Sequence, residues 1–478
     1  MAKARLRFLE KDEEELIHAL SLKNLNEMGV LIHSEMVLKM LDEAGADVDH
    51  KKQIAKIPEA MVNDAIKKAP KSITLGARDP ERDLKIPVQA FPFISSCGVT
   101  VFIIDHRTGQ RREATRKDLA ELAKVGDALD PLNAFWPMVT TSDVTPNSHM
   151  VHELWTSMQN TTKHILGSAG SGTIGIPDAK TQIALGRLVA GGEKELKKRP
   201  LFSVLSCVIA PLSFERGSVE AQVEYAKAGI PVISMSMTLG GMTAPATVAG
   251  TIVNANTENL ASLVITQTAE PGAPHIYSTE STLVNMTSGV IDYRGAETPL
   301  IMAATGAMAS RYGLPKMTGA IGVDADRPGN PVPFGETLSI WMTTMSGTDL
   351  ASGAGGIDSD RGCSAVQLVC DVNFWEDFRA FMRDFSISEE KAALDLVKEI
   401  GHNNTFLTHP HTAKNFKKEI FFRDRKKTEL YGATASDRMV PDAKKTVETI
   451  LKSHQVESID KDLIRRGDEI VKEFEKSV

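Results

Sequence analysis

Carboxylates and aromatic rings, rather than lysines or cysteines, are the residues whose placement in this chain could do chemistry. Glu280, Asp324, Asp326, Asp358 and Asp360 each follow closely on a short apolar run, and Phe93, Trp136, Tyr277, Phe334 and Trp341 lie near such runs. Carboxylates beside aromatic faces suit a cationic ligand, above all a quaternary ammonium, which a ring face holds by cation–π attraction. The segments 140–143, 168–171, 206–209, 234–241, 279–285, 321–326 and 353–361 otherwise supply mostly Ser, Thr, Gly and backbone. Lysine, histidine and cysteine, the groups of Schiff-base, acid/base and thiol enzymes, are scarce there. A single aromatic is more often core packing, and Asp324, Asp326 and Asp360 read as cap or turn residues. Glu280 and Asp358 are therefore the carboxylates expected in a pocket.

The segment LASGAGGIDSDRG, residues 350–362, concentrates these features. Its glycines allow a phosphate cradle, but Asp358 and Asp360 repel an anion and no lysine compensates. Arg361 is suited instead to a substrate carboxylate, through its two-pronged donor geometry. His402, His409 and His411 in GHNNTFLTHPHT lack the helical i, i+4 spacing of a zinc site because Pro410 intervenes, and HELWT at 152–156 has no second histidine. No metal site is expected.

These residues need a scaffold that gathers distant loops. From Phe91 onward, short β-rich runs ending in Gly, Ser or Thr alternate with helical patterns. The runs are 91–95, 134–139, 164–168, 202–205, 232–235, 275–278, 316–320 and 349–352, spaced by roughly 30 to 45 residues, which suits a strand plus a crossover helix. Eight such units predict an α/β fold of the (β/α)8 TIM-barrel class, whose functional groups come from the C-terminal strand ends. Residues 1–90 read as an N-terminal helical accessory domain, 91–384 as the barrel and 385–478 as a C-terminal helical extension. Within the first unit, VTVFIIDHRTGQRREAT reads as an inserted hairpin turning near Thr108 and Gly109.

The bulk properties exclude other classes. A net charge of −7 argues against nucleic-acid binding, which needs a basic face. Cys97, Cys207, Cys363 and Cys370 form no CxxC pair, so neither a disulfide framework nor a thiolate zinc site is signalled, and a reducing cytoplasm is expected. The first residues turn acidic before any apolar stretch, unlike a signal peptide, and no apolar run reaches the roughly 18 residues of a spanning helix. No membrane association is expected.

Taken in order, GARDPERDLKIP, DHRTGQRREATRKDLAELAKVGDALD, RYGLPKMTG, SGAGGIDSDRGCS and THPHTAKNF resemble the trimethylamine methyltransferase superfamily of corrinoid-dependent enzymes. The likeness spans nearly the whole chain. It implies a barrel enzyme that moves a methyl group from an amine to the Co(I) of a corrinoid (cobalamin) carried on a separate small protein. The archaeal trimethylamine members have pyrrolysine on the seventh strand, near the segment that here reads LPKMTGAIG. Met317, Thr318 and Gly319 stand there instead, which points away from trimethylamine. The chain is similar to nonpyrrolysine members, which use betaine-type quaternary amines such as glycine betaine, proline betaine or carnitine.

The resulting expectation is a quaternary amine:corrinoid protein methyltransferase, with glycine betaine the leading substrate, in one-carbon metabolism of the methanogenic or acetogenic type. Trp136, Tyr277 and Phe334 are expected to face the ammonium, with Glu280 and Asp358 supplying negative potential. Arg361, His409 and His411 would receive a betaine carboxylate, and Gly353, Gly355 and Gly356 would leave room for the corrin edge. No side chain need be a nucleophile, no tightly bound cofactor is expected, and a homo-oligomer is. The alternatives are a barrel acting on a phosphorylated metabolite and a non-catalytic betaine-binding module.

Overall fold

Eight short runs of β-branched and small residues pair in parallel and close on themselves. In the computed structural model they form β1 (Phe93–Ser96), β2 (Ala134–Phe135), β3 (His164–Ser168), β4 (Phe202–Val208), β5 (Val232–Ser236), β6 (His275–Thr279), β7 (Lys316–Gly319) and β8 (Leu350–Ala354). Each strand pairs with its sequence neighbour, and β8 closes onto β1. The (β/α)8 barrel read from the sequence is the observed fold. The structure describes residues 7–88, 91–293, 295–319, 321–322, 324–329, 334–382, 385–419 and 436–478, the side chains of 334–336, 417–418 and 436–437 excepted.

Strand alternation sorts the side chains into two shells. Ala134, Trp136, Leu166, Leu205, Ile233, Met235, Ile276, Met317 and Leu350 point inward and form the barrel's own core. Their neighbours Phe135, Ile165, Val204, Val232, Tyr277 and Ala351 point outward and pack under the helices. β2 is shorter than the expected 134–139. Pro137 has no N–H to give to a ladder, and past it the chain is held by Val99 and Thr100, which donate to Pro137 O and Met138 O at 2.8 and 3.0 Å.

The far end of the barrel is closed by a hairpin. Ile73–Leu75 and Leu84–Ile86 pair antiparallel and insert Ile73, Leu75, Leu84 and Ile86 into the inner core. The Gly76 N–H donates to Pro200 O and the Val88 N–H to Asp349 Oδ1, both at 2.8 Å and both just before a barrel strand. The barrel interior is thereby closed at this end, leaving the opposite, C-terminal mouth.

Residues 1–90 contribute helices Lys11–Glu27, Glu35–Glu43 and Glu59–Lys68 together with short strands. Val30–Ile32 pairs in parallel with Ser213–Phe214, beyond β4, and this region shares one hydrophobic core with the barrel helix Val248–Ala269. At the other end of the chain, Ser436–Ser453 packs on Arg116–Ala128 and Ala365–Phe381, and Lys461–Ser477 on Gly175–Ala190. The Trp155 indole N–H donates to Asp468 Oδ1, and His454 Nε2 pairs with the buried Asp127, both at 2.8 Å. Among the described residues no helix is long and apolar enough to cross a membrane.

Candidate functional site at the barrel mouth

The loop after β8 folds into a tight hairpin in which Gly356–Ile357 pairs with Gly362–Cys363. Its turn, Asp358, Ser359 and Asp360, runs through three consecutive left-handed residues with φ of +53°, +55° and +58°. Asp is among the few non-glycine residues that adopt this region readily. The turn separates the two carboxylates. Asp360 turns inward, and its Oδ1 is buried with no hydrogen-bond partner among the described residues. Gly356 makes that position possible, since a Cβ there would lie 2.0 Å from Asp360 Oδ1.

Asp360 shares a cavity with Glu280, Tyr293, Met302, Gly319 and Asp324. The space is about 50 Å³, room for on the order of four water-sized groups. Glu280 keeps the inward parity of Ile276 and Ser278 and is only 9% exposed. Its Oε1 accepts a 2.7 Å hydrogen bond from Ser352 Oγ, across the barrel on β8. Burial pushes the Glu280 acid up, and the Ser352 bond pulls it partly back. Burial also raises Asp360 well above the usual carboxylate range, reinforced by Glu280, Asp324 and Asp371. Asp324 accepts from Ser359 Oγ at 2.7 Å. The Tyr293 phenol is raised by burial and by the same carboxylates, so it stays neutral. Among the described residues no set of three His, Cys, Asp or Glu side chains could hold a metal ion. These carboxylates therefore surround a volume rather than a point.

Trp136 faces the barrel interior, 8% exposed, with its indole against Gly98, where a Cβ would stand 2.1 Å from the ring. Its Nε1 has no partner among the described residues, and it is not among the cavity-lining residues. Tyr277 has outward parity. Its hydroxyl donates to Asn256 Oδ1 at 2.7 Å beneath Val248–Ala269, away from the cavity. The Phe334 side chain lies outside the described residues. Asp358 and Arg361 face each other instead of a ligand, the guanidinium donating to the carboxylate at 2.5 Å, with Arg111 3.8 Å from its other oxygen.

His409 pairs with Glu399 at 3.4 Å and accepts from the His411 N–H at 3.1 Å, so both histidines belong to a local surface cluster. Gly353, Gly355 and Gly356 are buried rather than presented at the mouth. A Cβ at 353 would lie 1.6 Å from Ile321 O and one at 355 2.5 Å from the Met138 methyl. These glycines let the β8 backbone approach its neighbours.

Asp360, Asp324, Tyr293 and Cys207 were not foreseen as site residues. Cys207 has inward parity at the end of β4 and is solvent-accessible although protein surrounds it. Burial and the nearby Glu280 raise its thiol to about 11, so it is not a thiolate near neutral pH. Parity within the strand was the available signal for Cys207. No sequence signal separated Asp360 from Asp358, and Tyr293 sits in a long loop whose return to the cavity depends on the tertiary fold.

Comparison with known proteins adds an independent line. The sequence pattern of the family described as trimethylamine methyltransferase (MTTB) matches residues 2–474. Trimethylamine methyltransferase MttB of Desulfitobacterium hafniense is 30% identical over 467 residues, covering 97% of this chain and 93% of that protein. A glycine betaine methyltransferase of Desulfitobacterium hafniense strain Y51 is 27% identical over 451 residues, covering 93% and 90%. The crystal structure of the Methanosarcina barkeri monomethylamine methyltransferase superimposes with a TM-score of 0.54 at 13% identity, covering 93% of this chain and 90% of that one. At that identity the superposition speaks for the fold alone.

Proposed function

The chain belongs to the trimethylamine methyltransferase family, and from that premise we propose that it moves a methyl group from a quaternary ammonium compound to the cobalt of a corrinoid carried by a partner protein. The observation that carries this reading is the cavity where Glu280, Asp324 and Asp360 meet the Tyr293 ring, with no lysine, arginine or histidine among its described lining residues. A cavity lined by carboxyl groups and an aromatic ring suits a ligand that is already cationic and leaves as a neutral amine.

The corrinoid supplies the Co(I) nucleophile. The work left to this chain is desolvation, orientation and charge complementarity. Glu280 and Asp360 hold the ammonium, the Ser352 hydrogen bond fixes Glu280 across the barrel, and the Tyr293 ring covers a methylated face. Because the departing amine is neutral when it leaves a quaternary centre, no proton donor has to be positioned beside it. Ile209, Met242 and Met286, exposed on loops after β4, β5 and β6, are the apolar residues that would receive the edge of a macrocycle presented by a partner. The buried Gly353, Gly355 and Gly356 do not provide that surface.

Glycine betaine was the leading substrate on sequence grounds, and one relative carries that activity in its name. The groups expected to receive its carboxylate, Arg361, His409 and His411, are not among the cavity-lining residues. A phosphorylated metabolite likewise meets acids and no basic side chain among the described lining residues. The test is to supply the chain with Co(I) cobalamin and a panel of quaternary amines and to look for the demethylated tertiary amine by mass spectrometry. Saturable binding with no tertiary amine from any of them would replace the enzyme reading with a binding module.

A further inference from the structure

We propose that the mouth cavity selects quaternary ammonium ions that carry no carboxylate, of the tetramethylammonium type, over betaines. The proposal rests on the methyl-transfer reading above and narrows its substrate class.

Three observations support it. First, the described lining residues that carry charge, Glu280, Asp324 and Asp360, are all acids. Glu280 is nine-tenths buried with one oxygen engaged by Ser352, and Asp360 Oδ1 is buried without a partner. A buried carboxylate oxygen without a donor is destabilised, and either a proton or the positive charge of a ligand relieves it. A quaternary ammonium does so without needing hydrogen bonds, whereas a zwitterion adds a like charge to the same small volume.

Second, among the described residues, the two arginines that meet Asp358 in this loop are already committed. Arg361 donates to Asp358 at 2.5 Å and Arg111 lies 3.8 Å from the same carboxylate, its guanidinium 3.7 Å from the centre of the Phe102 ring. Third, the cavity of about 50 Å³ suits a compact head group on the order of four or five heavy atoms, and a betaine carboxylate, one carbon from its ammonium, stays close to the acids that hold that head group. Tyr293 adds a ring face suited to methylated nitrogen rather than to an inorganic ion.

Isothermal titration of the intact chain with tetramethylammonium, choline and glycine betaine at pH 8 tests this. Tetramethylammonium should bind at least tenfold more tightly than glycine betaine, with the ratio falling severalfold in Asp360→Asn and in Glu280→Gln, whose folding is checked by circular dichroism. Glycine betaine binding as tightly as tetramethylammonium, or more tightly, overturns the selection while leaving methyl transfer from betaines standing. Failure of all three to bind the wild-type chain overturns the selection together with the quaternary-amine reading beneath it.

Discussion

Ser352 on β8 donates a 2.7 Å hydrogen bond to Glu280 beyond the end of β6, bridging two strands that are not neighbours in the barrel. The bond does two things. It fixes the Glu280 rotamer beneath the cavity, and it favours the ionised carboxylate against burial. Ser352→Ala should therefore raise the Glu280 pKa further. A hydrogen bond to a charged group contributes about 1.5–3 kcal/mol, so ammonium affinity near neutral pH should fall about tenfold and recover as pH is raised. Titration calorimetry across pH 6 to 9 checks this, and a loss that persists at high pH would show a steric rather than an electrostatic role.

The pH dependence of ligand binding has a definite sign. Glu280 and Asp360 are both raised by burial. Each binds a cation only when ionised, so protons compete with the ligand. Affinity for a quaternary ammonium should rise with pH through the raised pKa values and level off above them, with protons released on binding. Asp371, Asp324 and the neutral Tyr293 surround the pair and supply no positive charge. Asp360→Asn should flatten the profile, as read from calorimetry in buffers of different ionisation enthalpy.

Stability has its own pH handle, away from the cavity. Asp178 is fully buried, with Oδ1 bonded to the Gln182 amide at 2.6 Å and Oδ2 without a partner among the described residues. Burial raises its acid from 3.8 to about 7. The folded state thus favours the protonated form, so the contribution is fully present below the unfolded value near 4 and is lost as pH rises through 7. That shift corresponds to about 4 kcal/mol at most. Asp178→Asn should raise the melting temperature at pH 8 by several degrees and change it little at pH 4, as measured by thermal unfolding.

Arg361 separates the sequence expectation from the folded arrangement. Its side chain is 60% exposed and paired with Asp358. Arg361→Ala should change ammonium or betaine affinity by less than about twofold, because exposed ion pairs contribute little. A tenfold loss of glycine betaine affinity in calorimetry would show that the pair opens to receive a carboxylate.

Gly98 lies flat against Trp136, leaving no room for a methyl group. Gly98→Ala should displace the indole and cost about 1–3 kcal/mol, as overpacking does. Chemical denaturation gives the stability change, and a shift in tryptophan emission reports the displacement.

The scaffold was legible because its signal is local. Each barrel strand is a short β-rich run closed by small residues, and the eight runs fell where the strands lie, with β2 cut short by Pro137. The site was legible only in part. Glu280 stands at a strand end, where position alone suggests a role. Tyr277 has the same kind of position but the opposite parity, and alternation from Ile276 would have sent it outward. Asp358 and Asp360 differ only in how three left-handed residues turn the hairpin, which depends on Gly356 leaving space. Arg361 was read as a ligand for substrate because its pairing with Asp358 is a property of that same turn.

The central claim, that this cavity presents an ammonium methyl group to Co(I), is tested most directly by following the cobalt spectrum. Co(I) cobalamin mixed with the chain and tetramethylammonium should convert to methyl-Co(III), and Glu280→Gln should slow that conversion at least tenfold. Absence of methyl-Co(III) with tetramethylammonium and with every other quaternary amine supplied would contradict the account, as would conversion at the wild-type rate by the Glu280→Gln variant.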